Sequence, residues 1–207
     1  MLKVISATLV FLSFSSLVFA QTSDLEKLKQ ELSKFDQFSA NFEQISRDGQ
    51  GQVLQKQAGS LTVAKPNKFY WESEEPFAQL LVSNGTTLWV YDEDLEQVTV
   101  QTLDKRMSST PVLILGGEVS EIAKHYDVYA SENESELQFA LIPKQSGNLF
   151  SRLELEFNDG QIKQLIIKDE VGQVTSVAFT DVDKQVQAPA SMFEFNVPEG
   201  TDIIRSQ

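Results

Sequence analysis

Few side chains in this sequence are of the types that do covalent or acid–base chemistry. There is one histidine, His125, and no cysteine. Cys/His dyads and the usual His- and Cys-bound zinc centres are therefore unavailable. A nucleophilic serine would need His125 as its base, and no G-x-S-x-G elbow is present. His125 falls near the end of a predicted short helix, where a solvated or helix C-terminal histidine needs no catalytic role to explain it. Carboxylates are plentiful, with 30 acidic against 17 basic residues. Asp92-Glu93-Asp94 would suit a hard cation, but it lacks the spacing of an EF-hand loop and stands where a turn is needed. Asp181-Val182-Asp183 ends a strand pattern and reads as solvated. Nothing singles out two of the acids as a glycosidase pair. Gly116-Gly117 lacks the Lys-Ser/Thr of a phosphate loop. The expectation is a protein that is not an enzyme and needs no metal or cofactor.

What remains is apolar adhesion. Phe69 and Trp71 share one face of a strand, Leu61 and Val63 share another, and Leu80 to Val82 and Leu88 to Tyr91 are apolar at consecutive positions. A strand sends alternate side chains to opposite faces, so both faces of the hairpin built on Asn84-Gly85 need cover. One reading is a well-filled barrel interior. The other is a concave apolar sheet, roofed by amphipathic helices, that opens to admit lipid. Composition does not decide between them.

The elements that would position these residues are legible as periodicities. Ser23 and Asp24 offer N-cap oxygens, and Leu25, Leu28, Leu32 and Phe35 recur at helical spacing, which predicts a helix over about 24–35. From Asp36, Phe38, Ala40 and Phe42 alternate with polar residues as in a half-buried strand. Strand patterns follow over 61–64, 69–72, 79–83, 88–91 and 97–102, and again over 137–142, 152–157, 162–168, 174–182 and 193–197. Asn158-Asp159-Gly160 and Glu170-Val171-Gly172 mark turns of an antiparallel meander. Arg47 to Gly59 is long for a loop, but it is Gln-rich and punctuated by glycine, the mark of a mobile hairpin. Between the two series Ser109 or Thr110 can cap, Pro111 suits a first helical position, and Gly116-Gly117 stops the turn; a second helix is predicted over 119–126. The sum is a mainly β chain with some α, a single strongly curved antiparallel sheet forming an unclosed β-barrel capped by short helices.

The first twenty residues, a basic start at Lys3, an apolar run from Val4 to Phe19 and Ala20, read as a signal peptide cleaved after Ala20, with 21–207 as one domain. No cysteine follows that could take a lipid anchor. The net charge of −13 argues against nucleic acid as a partner and against adsorption to an anionic membrane.

Four motifs then stand in order: Phe38-Ser39-Ala40-Asn41-Phe42-Glu43-Gln44, the block Lys65-Pro66-Asn67-Lys68-Phe69-Tyr70-Trp71-Glu72, the hairpin LVSNGTTLWVYDEDLEQVTV, and Thr110-Pro111-Val112-Leu113-Ile114-Leu115. Together they resemble the family of periplasmic outer-membrane lipoprotein carriers, LolA, over about residues 24–145. The resemblance implies a periplasmic chaperone, monomeric, that takes the acyl chains of lipoproteins released by an inner-membrane ABC transporter complex and delivers them to the outer-membrane receptor LolB. A lipid-sensing regulator on the same fold is the alternative. The resemblance also implies site residues. Phe69, Trp71, Leu81, Trp89, Val90 and Tyr91 are expected to meet cargo or partner; Leu32, Val112, Leu113, Ile114 and Leu115 belong to the lid. Lys65 stands where family members carry the basic residue that tethers the lid to backbone carbonyls. Lysine keeps the charge of the more familiar arginine without its planar fork.

Overall fold

The structure, a computed structural model, describes residues 23–74, 76–103, 113–117, 119–145 and 149–205. The predicted signal peptide, the predicted capping residues Ser109 to Pro111, and Val112 lie outside them.

Helix α1 spans Asp24–Leu32, with the Ser23 hydroxyl accepting from the Glu26 amide at 3.3 Å. It ends three residues sooner than its periodicity predicts. Ser33 caps it by donating from its hydroxyl to the Gln30 carbonyl, and the next residues turn into a strand while Phe35 stays buried with Leu28 and Leu32. Six strands follow in hairpins: β1 (Gln37–Arg47), β2 (Val53–Ala64), β3 (Lys68–Ser73), β4 (Gln79–Asn84), β5 (Thr87–Asp92) and β6 (Gln97–Thr102). Short helices α2 (Leu113–Gly116) and α3 (Val119–His125) separate them from β7 (Tyr126–Asn133), β8 (Glu136–Pro143), β9 (Phe150–Asn158), β10 (Gln161–Asp169) and β11 (Val174–Asp183). A 3-10 turn, Ala190–Phe193, precedes β12 (Asp202–Arg205).

All twelve strands form one sheet in the order β12-β6-β5-β4-β3-β2-β1-β11-β10-β9-β8-β7. The edges, β12 and β7, do not pair with each other, so the curled sheet stays open as a half-barrel. The predicted antiparallel sheet is correct but for β12, which runs parallel to β6, and for the strand expected over 193–197, where a 3-10 turn ends at Phe193 and no strand begins before β12.

Three local readings change. The hairpin expected over Arg47 to Gly59 is part of a long ladder: β1 and β2 extend through it, turned at Asp48–Gln52, where one Asp48 carboxylate oxygen accepts from the amides of Gln50 and Gln52, both at 2.9 Å. This arm has no apolar face to bury, so it carries no alternation to read. Strand β7 is not among the predicted strands: its first residue falls within the helix predicted over 119–126, and its inner face shrinks from Tyr126 through Val128 and Ala130 to the charged Glu132, which pairs with Lys27 of α1 at 3.1 Å. In the β4–β5 hairpin only Gly85 takes positive φ, at +97°, so the turn is not type I′; Asn84 instead accepts from the amides of Thr86 and Thr87 through its side chain.

Candidate functional site

Register fixes which side chains share the concave face, because strand partners point the same way. Phe38, Val63, Phe69, Ser83 and Leu88 form one cross-strand row, and Ala40, Leu61, Trp71, Leu81 and Val90 the next. Phe42 stacks on Trp71 with centroids 4.0 Å apart. The pair lies over Gly59, where a Cβ would meet the Glu72 carbonyl oxygen at 2.0 Å and the Phe42 ring at 2.8 Å, so only glycine fits. The other half of the wall comes from Phe139, Leu153, Leu155, Phe157 and Leu165, all at most 2% exposed.

The helices lie on this wall. Leu28 and Leu32 of α1, Ile114 and Leu115 of α2 and Ile122 of α3 are each at most 1% exposed and belong to the same hydrophobic cluster as Phe69, Trp71 and Leu88. Helices this short do not hold themselves together in water; packing must hold them.

Specific polar ties hold them as well, and they converge on the β2–β3 turn. Lys65 donates from Nζ to the Leu32 carbonyl, one of the carbonyls that the end of α1 leaves without an intrahelical partner, and to the Phe35 carbonyl at 2.7 Å. Its ammonium also stands 4.2 Å from the centre of the Phe35 ring. Burial lowers the Lys65 pKa, against the opposing pull of Asp36. Two residues on, the Asn67 amide donates to the Gly116 carbonyl of α2 at 2.8 Å. Gly116 is tight against Val63 and Asn67, so α2 sits directly on the turn. One turn of the wall thus grips both α1 and α2.

Between the helices a groove of about 550 Å³ remains, lined among others by Leu25, Leu32, Pro66, Gly117 and Val119, with Lys65 beside it. Leu32 therefore has one side on the wall cluster and one on the groove.

Of the expected site residues, the structure brings Phe69, Trp71, Leu81 and Val90 onto the concave wall, and Leu32, Ile114, Leu115 and Lys65 against it. Of Leu113 only the backbone, at the start of α2, is described. Trp89 and Tyr91 are separated from the rest. Their register partners are Val82 and Leu80, on the opposite face of the sheet. Among the described residues, neither Trp89 nor Tyr91 belongs to the hydrophobic cluster that the helices join. The chain after β11 crosses this opposite face: Phe193 is 2% exposed, the Phe195 and Tyr91 rings are 5.3 Å apart, and the Asn84 amide donates to the Glu194 carboxylate. Both faces of this hairpin are covered, as its apolar residues require, but by different parts of the chain: the helices lie on the concave face and the C-terminal segment on the convex one. His125 is exposed at the end of α3, and Asp92 to Asp94 stand at the β5–β6 turn.

Two ties were missed by sequence reading: Asn67 acts through its backbone amide, which no side-chain pattern announces, and Gly116 was read only as a helix stop. What the geometry defines is a class, a binding protein that stores an apolar wall beneath a separate helical cover instead of sealing it in a closed barrel. The chain belongs to the outer membrane lipoprotein carrier protein LolA family, whose model matches residues 33–196. An outer-membrane lipoprotein carrier protein from Azotobacter vinelandii is 40% identical over 186 residues, 90% of either chain. One of the same name from Pseudomonas fluorescens matches to the same extent. Among solved structures, a LolA superfamily protein from Nitrosomonas europaea shares the fold with a TM-score of 0.51 at 12% identity, covering 84% of this chain and 99% of that one. An uncharacterised conserved protein from Thermus thermophilus gives 0.55, also at 12% identity, covering 89% of this chain and all of that one.

Proposed function

We propose that the protein is a non-catalytic carrier of lipoproteins across the periplasm, holding their acyl chains on the concave wall in place of the helices. Residues 1–20 export it and are removed, leaving a soluble, monomeric domain over 21–207. It receives cargo from an inner-membrane ABC transporter complex and passes it to the outer-membrane receptor LolB. The observation that carries this reading is the Lys65 tether: a cation from the wall holds the cover by two backbone carbonyls, a contact that can be broken and remade without unfolding either part.

Cargo contacts are assigned to Phe69, Trp71, Leu81 and Val90, and the moving cover to Leu32, Ile114 and Leu115. Trp89 and Tyr91 are assigned to the support of the sheet. To test the reading, purified protein is incubated with energised inner-membrane vesicles containing the transporter, and the soluble fraction is probed for lipoprotein. Lipoprotein is expected to appear there in a one-to-one complex with the carrier. If none leaves the membrane while the transporter is active, the carrier reading fails.

A further inference from the structure

The concave wall is not apolar along its whole length. One register step beyond the Phe42–Trp71 stack it becomes polar and uncharged at most positions. On β1 and β2 the next inner pair is Gln44 with Gln57, and on β3 and β4 it is Ser73 with Gln79. These side chains line an open groove of about 530 Å³ at the end of the half-barrel away from the Lys65 turn, with Gln55 beside them and the half-exposed Phe77 and Leu95 on its lip. The arrangement is held in place: the Gln57 amide donates to the Phe77 carbonyl at 2.7 Å, and the Gln44 amide donates to the Gln57 side-chain oxygen at 3.4 Å. Among the described residues no hydrogen-bond partner is present for the side-chain amides of Gln55 and Gln79.

A primary amide offers two donors and an acceptor without charge. A row of them suits esters, amides and peptide backbone. It does not suit a phosphate or a free carboxylate, since no cation lines the groove and Asp92 and Asp94 do. Resting on the carrier reading, we infer that this glutamine-lined groove is the subsite for the polar junction of the cargo: the ester and amide carbonyls that head the acyl chains, and the first peptide units that follow the acylated residue. Apolar chains lie toward the helices, and the polypeptide leaves through the open end. The site thereby favours an acylated peptide over a fatty acid or a phospholipid with the same chains.

The chain has no cysteine, so Gln79→Cys gives one labelling position, and an environment-sensitive fluorophore there reports on the groove without altering the apolar wall. The probes are a triacylated cysteinyl-serine peptide and palmitate, both below their aggregation concentrations. The peptide is expected to shift the emission and palmitate to leave it unchanged; equal responses overturn the inference. In parallel, Gln44→Leu with Gln57→Leu is expected to weaken the triacylated peptide about tenfold, the scale of one or two neutral hydrogen bonds, and to leave palmitate as tight or tighter. Unchanged selectivity in a double variant that melts as the parent does overturns it as well. If the unmodified protein binds neither probe, the carrier reading itself falls and the subsite with it, an outcome distinct from binding both without preference.

Discussion

Lys65 is asked to do two things that pull against each other. Its charge strengthens the bonds to the Leu32 and Phe35 carbonyls, while its half-buried position disfavours that charge. Hydrogen bonds from a charged donor contribute about 1.5–3 kcal/mol, and solvent at a half-exposed site holds the effect to the low end, so Lys65→Met should free α1 by about 1.5 kcal/mol. The amides of α1 should then exchange about tenfold faster while those of β9 and β10 keep their protection; uniform acceleration would mean a global loss instead of a released cover. The lowered pKa has a second consequence. Between the folded pKa and the unfolded value of 10.5 the unfolded chain holds more protons, so the Lys65 contribution to stability rises as pH climbs through that window. Urea unfolding of the parent and Lys65→Met across alkaline pH should show the parent gaining relative to the variant. Gly59 offers a cleaner test of the wall. Gly59→Ala drives a methyl to 2.0 Å from the Glu72 carbonyl oxygen and into the Phe42 ring, and overpacking of this kind costs about 1–3 kcal/mol or more. A urea midpoint within error of the parent would contradict the packing described.

At the scale of elements, the hairpin β4–β5 shows both the reach of the sequence and its limit. Its two apolar faces were visible in Leu88 to Tyr91, and so was the need for two covers. Which cover goes where was not visible, because the alternation over 193–197 reads as one more strand of the sheet, whereas the chain there leaves a 3-10 turn and acts through two rings, Phe193 and Phe195. The β1–β2 arm is legible as a hairpin but not in its length: its inner face carries glutamines in place of apolar groups, so no alternation marks the ladder. By contrast α1, the Lys65-Pro66 turn and the wall residues Phe69 and Trp71 were legible, since helical spacing and strand alternation both report burial on one face. The convex cover can be tested with the two tryptophans. Trp71→Phe leaves Trp89 as the sole tryptophan, one register pair from the buried Val82. Adding Phe193→Ala should cost about 3–5 kcal/mol and shift the Trp89 emission to the red. An unmoved spectrum would place the C-terminal segment elsewhere.

The whole molecule faces a problem of release. A buried methylene is worth about 0.8 kcal/mol, so one chain of about sixteen carbons represents roughly 13 kcal/mol gross and three chains exceed the practical ceiling of non-covalent affinity near 20 kcal/mol. Even at a dissociation constant of about 10⁻¹³ M, an association rate of about 10⁶ M⁻¹s⁻¹ implies escape into water at about 10⁻⁷ s⁻¹, slower than any useful transport. An open half-barrel escapes this limit where a closed barrel would not. Its unpaired edges, β7 and β12, and its glutamine-lined end leave the wall accessible to a second apolar cavity brought against it. In the proposed transfer, Leu28, Leu32, Ile114, Leu115 and Ile122, which lie on the wall here, would replace the buried area that is lost as the chains pass over. Transfer should therefore be second order. With carrier loaded and LolB in excess, the rate should rise linearly with acceptor concentration, and it should vanish when a dialysis membrane permeable to lipid monomers but not to protein separates the two. A rate independent of acceptor would require free diffusion of the lipid, and with it a wall far weaker than the one built here.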